Sequence, residues 1–270
     1  KFFPKLKFVG MVTGLGYAFG RGGFLRSFVR VFATALYKVA LASADAVIFQ
    51  NPDNRQTFVD QKLVSACKTH VIQGSGVNLA YFPYSEYQMD GRNLCFLMVA
   101  RLLRDKGVRE FIAAAEKVKA IHNNVDFVLV GPLDSSPDAI PLEKIIKYDR
   151  TGVISYKGAV SDVRTFMIDS SVYVLPSYHE GMPRTVLEAM AVGRPIITTD
   201  VPGCRETVSP GVNGWLVSKG DSDDLAEKIL WFVDSPNEIK KMGQQSRDMV
   251  SKQFDVKQVN KDIINIVTNS

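Results

Sequence analysis

The stretch Leu175-Pro-Ser-Tyr-His-Glu-Gly-Met-Pro-Arg-Thr-Val-Leu-Glu-Ala-Met-Ala-Val-Gly-Arg-Pro195 decides how the rest of this chain is read. It leaves an apolar run at Leu175, crosses a polar loop and enters a helical pattern that stops at Gly193, with Pro195 just beyond. A glycine after the last helical residue, followed by proline, is a helix stop signal. Pro183 suits the first turn, where a missing N–H costs nothing. The amides of Arg184, Thr185 and Val186 are then expected to point unpaired into a cleft at the carboxyl end of a sheet. Free amides with a helix dipole behind them attract an anion such as a diphosphate. Open α/β sheets also take their ligands at that edge. Glu180 in the loop and Glu188 in the helix, with seven residues between them, flank the pocket. One acid in a first turn merely complements the dipole; two acids beside an anion pocket are acceptors for hydroxyl groups.

On both sides of this stretch, short β-rich runs alternate with helical patterns. Strands are predicted at Lys7–Val12, Asp45–Gln50, Thr69–Gln73, Asn93–Val99, Val125–Val130, Val153–Tyr156, Ser171–Leu175, Pro195–Thr199 and Trp215–Val217. Val108–His122 carries Phe111, Ile112, Ala115 and Val118 at helical spacing. Continuous apolar runs such as DFVLV and SVYVL suit strands buried on both faces, and their alternation with helices predicts an α/β fold of parallel, doubly wound sheets. Asn78–Arg92 has no period, carries Pro83 and Gly91 and reads as an interdomain linker. The expected organisation is a first domain over residues 1–78, a second over 79–252, and a terminal helix over 253–270 that packs back toward the first domain. Within Phe254–Val267 the apolar face is expected at Val259, Ile263, Ile264 and Val267. Three strands are few for a doubly wound domain, and the chain opens on Lys1, so the first domain is expected to be incomplete at its front.

Composition narrows the function. Of 270 residues, 46% are hydrophobic and 23% charged, which is the balance of a soluble or peripheral globular protein. The net charge of +5 is concentrated at the front, where Lys1, Lys5, Lys7, Arg21, Arg26, Arg30 and Lys38 precede the first acid, Asp45. Such a face suits phosphate or anionic lipid, and the overall excess is too small to argue for nucleic acid. Cys67, Cys95 and Cys204 have no C-x-x-C spacing and read as core thiols in a reducing compartment. No apolar run reaches the roughly 18 residues of a membrane span. Gly14-Leu-Gly-Tyr-Ala-Phe-Gly20 sits where a dinucleotide fingerprint would. Its spacing is wrong, and the next strand ends in Gln50-Asn51, with no acid for a ribose, so an oxidoreductase is set aside.

Several ordered motifs carry a resemblance. Glu180-Gly-Met-Pro-Arg-Thr-Val-Leu-Glu-Ala-Met-Ala-Val-Gly-Arg-Pro195 resembles the signature of retaining glycosyltransferase family four, whose architecture is GT-B, two Rossmann-like domains. Pro202-Gly-Cys-Arg-Glu206, Gly211-Val-Asn-Gly214, Val99-Ala-Arg-Leu-Leu-Arg-Asp-Lys-Gly107 and Gly74-Ser-Gly-Val-Asn78 continue it. The resemblance implies that Glu188 holds the donor's ribose hydroxyls and Glu180 the transferred sugar. It implies that Gly181, Met182, Pro183 and Arg184 contact sugar and phosphate, while Arg101 and Lys106 neutralise the diphosphate leaving group. Thr185 and Val186 complete the helix start, and His179 is a further candidate lining the donor pocket. The donor would be a nucleotide-sugar, a UDP-sugar or else a GDP-sugar, with neither cofactor nor metal.

The segment holding Gly14 and Gly16 resembles the acceptor side of capsule and O-antigen enzymes that extend lipid-linked sugars. Many relatives carry a His where this chain has Gly14. The acceptor implied is a polyprenyl-diphosphate-linked or other glycan. The amphipathic pattern of Gly22–Ala42 suits an anionic membrane surface and a peripheral, cytoplasmic location. The alternative is a nucleotide-sugar-binding module that lacks transfer activity because its acceptor domain is incomplete.

Overall fold

The structure is a computed structural model that describes residues 6–14, 24–89 and 91–269, with residues 24–30 described by their backbone alone. Two all-parallel sheets organise it. The first takes β1 (Val9–Val12), β2 (Ala46–Phe49) and β3 (Thr69–Val71) in that order. Helices α1 (Phe24–Ala42) and α2 (Pro52–Asp60) make the crossovers. All four residues of β2, the central strand, are buried, as expected of a strand covered on both faces.

The second sheet contains β4 (Leu94–Val99), β5 (Val125–Val130), β6 (Ser155–Tyr156), β7 (Val172–Leu175), β8 (Ile196–Thr199) and β9 (Gly214–Val217). Their order across the sheet is β6-β5-β4-β7-β8-β9. The chain therefore winds outward from β4 in one direction, returns, and winds outward from β7 in the other. Between β4 and β7 the connections leave in opposite senses, which opens a crevice at the carboxyl ends of those two strands. Helices α3 (Val108–Lys119), α4 (Leu142–Arg150), α5 (Arg164–Asp169), α6 (Arg184–Val192), α7 (Ser222–Asp234) and α8 (Asn237–Gln253) belong to this unit. Its core includes Phe96, Phe111 and Phe127, with Phe96 stacked on Phe127 at 5.5 Å and Phe111 edge-on to it at 5.7 Å. Full burial of each such ring stabilises the fold by roughly 1.5–3 kcal/mol.

Among the described residues nine strands lie where the sequence predicts them; β5 matches its prediction, β9 starts one residue earlier at Gly214, and the others are trimmed by one or two residues at an end. The terminal helix differs in detail. Phe254 is buried in the core of the second sheet, and α9 (Val256–Asn269) begins beyond it. The chain crosses back through a bridge between Val77 and Asp255, and α9 covers the first sheet, where Val259 packs with Ile48 and Ile72 and is flanked by Ile263 and Ile266. The inward face is thus 259, 263 and 266, an i, i+4, i+7 set, while Ile264 and Val267 are exposed. The apolar pattern alone admits both faces, and the partner sheet selects one.

Residues 78–93 are irregular but anchored. Ser85 N–H donates to Val192 O, and the Arg247 guanidinium donates to Phe82 O and Ala191 O. Arg194, only 1% exposed, donates to the carbonyls of Ser85, Met167, Ile168 and Gly193, satisfying the carbonyl ends of α5 and α6. Of the cysteines, Cys204 is buried and Cys95 half-buried, its thiol pushed up to about 12 by burial, so both are inert near neutral pH. Cys67 is exposed, contrary to the reading of three core thiols, because it lies in a surface turn between α2 and β3. Among the described residues no helix is long and apolar enough to cross a membrane.

Candidate functional site

The loop after β7 runs into the crevice opened by the strand order, and its neighbours are the turns after β4, β8 and the first sheet. Gly107 has φ +76°, and a Cβ there would stand 2.1 Å from Pro176 O. The Lys106-Gly107 turn therefore lies directly on the loop that carries Glu180. The backbone of Asp105 ties the two together further, its carbonyl accepting from Tyr178 N–H at 2.8 Å and from Ser177 Oγ at 3.1 Å.

The charged groups pair within this crevice. Lys106 Nζ donates to Glu180 Oε1 at 2.5 Å, with side chains 23% and 13% exposed. Glu188, one turn into α6, is as sheltered as Glu180, and burial raises its carboxyl above the ordinary glutamate value against a smaller opposing pull from Arg184. The Arg184 guanidinium lies 3.9 Å from it, beyond hydrogen-bonding reach. Both acids act electrostatically on the buried Tyr173 of β7, whose hydroxyl donates to Val99 O at 3.1 Å and whose phenol is raised chiefly by burial. Glu180 and Glu188 thus border one region. Arg101, at the end of β4, is exposed and bonds Asp134 at 2.9 Å across the ends of β4 and β5. Asp134 is held below the usual carboxylate range first by its hydrogen bonds with Ser136 and then by Arg101. His179 Nε2 lies 3.7 Å from Asp105 Oδ2, near enough for attraction and too far for a hydrogen bond.

Pro183 is the N-cap of α6 and offers no side-chain cap. Val186 N–H donates to Pro183 O at 3.1 Å, so it is not one of the open amides that the sequence suggests. A tight first turn takes it up. The N–H groups of Met182, Arg184 and Thr185 have no partner among the described residues, and they lie at the start of α6, where Met182 and Pro183 are buried, Thr185 is half-buried and Arg184 is exposed.

The first sheet closes the crevice from the other side. A Cβ at Gly181 would stand 1.6 Å from Thr13 O, so only glycine allows this approach of β1 to the loop. Gly14 is beside it, with its own Cβ position 3.5 Å from Gly181 N. Gly16 lies outside the described residues. Asn51, fully buried at the start of α2, donates from Nδ2 to Gly181 O at 2.8 Å. Arg205 reaches across to Asp53 at 3.4 Å, and Glu206 accepts from Gly203 N–H at 2.8 Å beneath the loop. The structure therefore brings Gly14, Lys106, Glu180, Gly181 and Met182 together, sets Glu188 and the start of α6 beside them, and leaves Arg101 at the rim on Asp134. Sequence reasoning passed over Asn51 and Asp134. The Asn51-Pro52 pair is a helix N-cap signal, which says where α2 starts but not what the other end of the amide holds.

A family model described as Glycosyl transferases group 1 matches residues 86–249. The N,N'-diacetylbacillosaminyl-diphospho-undecaprenol alpha-1,3-N-acetylgalactosaminyltransferase of Campylobacter jejuni is 35% identical over 235 residues, covering 83% of this chain and 60% of the relative. A capsular polysaccharide biosynthesis glycosyltransferase of Staphylococcus aureus is 25% identical over 227 residues, covering 80% of this chain and again 60% of the relative. The chain thus spans about 60% of the length of these curated relatives. The solved Anabaena protein HepE, in complex with UDP, superposes with a TM-score of 0.80 at 20% identity, covering 98% of this chain and 72% of that one. At that identity the likeness speaks for the fold, which is α/β of the GT-B type.

Proposed function

The chain belongs to the group 1 glycosyl transferases, and from that premise we propose that it moves a sugar from a nucleoside diphosphate to a lipid-linked glycan in surface-polysaccharide synthesis. In this reading residues 79–252 hold the donor, while residues 1–78 and the terminal helix form the acceptor side. The observation that carries it is the Lys106–Glu180 pair set beside the open amides at the start of α6, with Glu188 in the next turn. Breaking an anomeric C–O bond to diphosphate leaves negative charge on the phosphate oxygens. A cation and helix amides already in place stabilise that charge without reorganisation. Lys106 and Arg101 meet the diphosphate, Glu188 accepts from the ribose hydroxyls, and Glu180 accepts from a hydroxyl of the sugar. Retention follows if the acceptor oxygen enters on the face that the diphosphate leaves, its proton passing to a diphosphate oxygen. No metal is needed for these steps.

The donor base is taken as uracil and the acceptor as a polyprenyl diphosphate glycan, supported by UDP in the Anabaena structure and by the undecaprenol named for the Campylobacter relative. The acceptor lipid would bring the protein to a membrane. Val31, Phe32, Leu36 and Val39 of α1 are exposed, beside a groove of about 530 Å³ lined by Lys38, Lys62 and Lys68. Co-sedimentation with anionic liposomes that is reversed by salt tests this surface; equal binding to neutral vesicles contradicts it. The chemistry is tested by Glu188→Ala, which weakens UDP binding about tenfold or more, against Glu180→Ala, which lowers turnover by two orders of magnitude or so and leaves UDP affinity within about twofold. Equal and negligible effects remove both roles. A second reading rests on the share of the relatives that this chain spans: a donor-binding module without transfer. Calorimetry with UDP-sugars beside a radiolabelled transfer assay separates the two.

A further inference from the structure

The loop assigned above to the donor is set in place by the opposite sheet, and one directed bond does most of the setting. Asn51 sits in extended backbone at the end of β2, and both ends of its side-chain amide are committed. Oδ1 accepts from Asn54 N–H at 2.8 Å, capping α2, and Nδ2 donates to Gly181 O at 2.8 Å. The chemistry of the two partners fixes which end is which, since an N–H needs an acceptor and a carbonyl needs a donor. The side chain is buried, so the bond is shielded from competing water. Thr13 O pressed against the Gly181 Cα and Gly74 against the Met182 side chain prevent the loop from sliding around that bond.

The consequence concerns the next peptide group. In a trans peptide the N–H of residue i+1 is antiparallel to the C=O of residue i, and among the described residues no peptide is cis. By drawing the Gly181 carbonyl toward the first sheet, Asn51 turns the Met182 N–H away from that sheet. Met182 N–H has no partner among the described residues, and Glu180, the acid paired with Lys106, is one peptide upstream. We propose that Asn51 is a positioning residue for transfer: an amide of the acceptor-side sheet that sets the direction of the Glu180–Met182 backbone at the donor's sugar. It touches neither donor nor acceptor. It makes the sugar-facing part of the site depend on engagement of the two sheets, while the nucleotide-facing part, at Glu188 and Arg101, does not.

This rests on the donor-site reading, and the test keeps the two apart. Asn51→Asp preserves an acceptor for Asn54 N–H and remains a good helix cap, but replaces the donor facing Gly181 O with a second acceptor. Asn51→Ser retains capping ability without adding charge and cannot reach Gly181. Both variants are made in the full-length protein, with UDP affinity measured by calorimetry, release of UDP from UDP-sugars by a coupled assay, and Tm by calorimetric scan. The expected result is kcat lowered ten- to a hundredfold in both variants, since a misplacement of about 1 Å has that scale of effect. UDP Kd stays within about twofold and Tm within a few degrees. Variants that react as fast as wild type overturn the role of Asn51 alone. Loss of Tm and UDP affinity in proportion to kcat assigns Asn51 a structural role and overturns the proposal too. A wild type that binds no nucleoside diphosphate overturns the donor-site reading, and the role of Asn51 with it.

Discussion

The two sheets solve the same problem of covering a parallel sheet in different ways. The six-stranded sheet draws its cover from its own crossovers and from α7 and α8, which follow its last strand, and Phe96, Phe111 and Phe127 are contributed by elements within about thirty residues of each other. The three-stranded sheet has α1 and α2 nearby, yet the residues against Ile48 and Ile72 come from α9, at the far end of the chain. The second sheet is therefore coherent by itself, while the first is completed by a segment that must pass the whole second unit before it can dock. The crevice inherits this asymmetry. Its Glu188 side is built locally, and its Gly181 side is finished by contacts from the first sheet.

The largest effect should fall in the self-covered core. Phe127→Ala removes a ring from two aromatic contacts and is expected to cost about 3–5 kcal/mol, whereas Val259→Ala on α9 should cost less and act mainly on the first sheet. Denaturant melts of both, with hydrogen exchange read at β2 and β4, check the comparison. Equal loss of protection in both sheets from Val259→Ala would show that they unfold as one unit.

Gly181→Ala puts a methyl where Thr13 O stands and should cost about 1–3 kcal/mol through backbone displacement, with the sheets forced apart at the loop. Small-angle scattering together with turnover measures it; an unchanged profile with full activity would mean that the approach of β1 is dispensable.

A smaller, pH-dependent effect is expected from Glu188. Burial raises its carboxyl above the unfolded value of 4.5, so the folded state binds the proton more tightly and wild type loses stability relative to Glu188→Gln as pH rises through the raised value. The Tm of Glu188→Gln should exceed that of wild type at neutral pH and converge with it below about pH 4. A difference that persists in acid would point to packing instead of charge. The smallest change is expected at Arg205–Asp53, an exposed pair spanning the two units. Arg205→Ala should shift stability by about 0–1 kcal/mol, and a salt titration should abolish the shift.

Much of this was legible without coordinates, for reasons that differ along the chain. The strands announced themselves because burial on both faces demands continuous apolar runs, and no tertiary detail is needed to recognise VLV or YVL. Glu180, Glu188 and the start of α6 were legible because one short loop after β7 holds them near each other, whereas Lys106, 74 positions upstream of Glu180, was pointed to by the resemblance alone. Asn51 was not, since its partner lies 130 positions away and its local signature, an asparagine before a proline, is fully explained by capping α2. The Val186 amide was misjudged because whether a first turn closes on its own proline is a matter of a few tenths of an ångström. On α9 Val259 and Ile263 were placed correctly, while Ile264 and Val267 were misjudged as inward because apolar residues occur around more of that helix than the sheet has room to bury.

By itself, the order of residues determined the alternation of strands and helices and the parallel, doubly wound class, and hence that a ligand would be held at the carboxyl edge of a sheet. These follow from periodicity and turn chemistry, which act over a few residues. The reversal of winding between β4 and β7 came only with the strand order of the structure. Tertiary structure alone decided which face of α9 turns inward, that Arg101 rests on Asp134, and that the carbonyl of Gly181 is held by Asn51. Hydrogen bonds and steric contacts between remote segments have no local signature, because each partner is an ordinary residue until the fold brings the other within 3 Å.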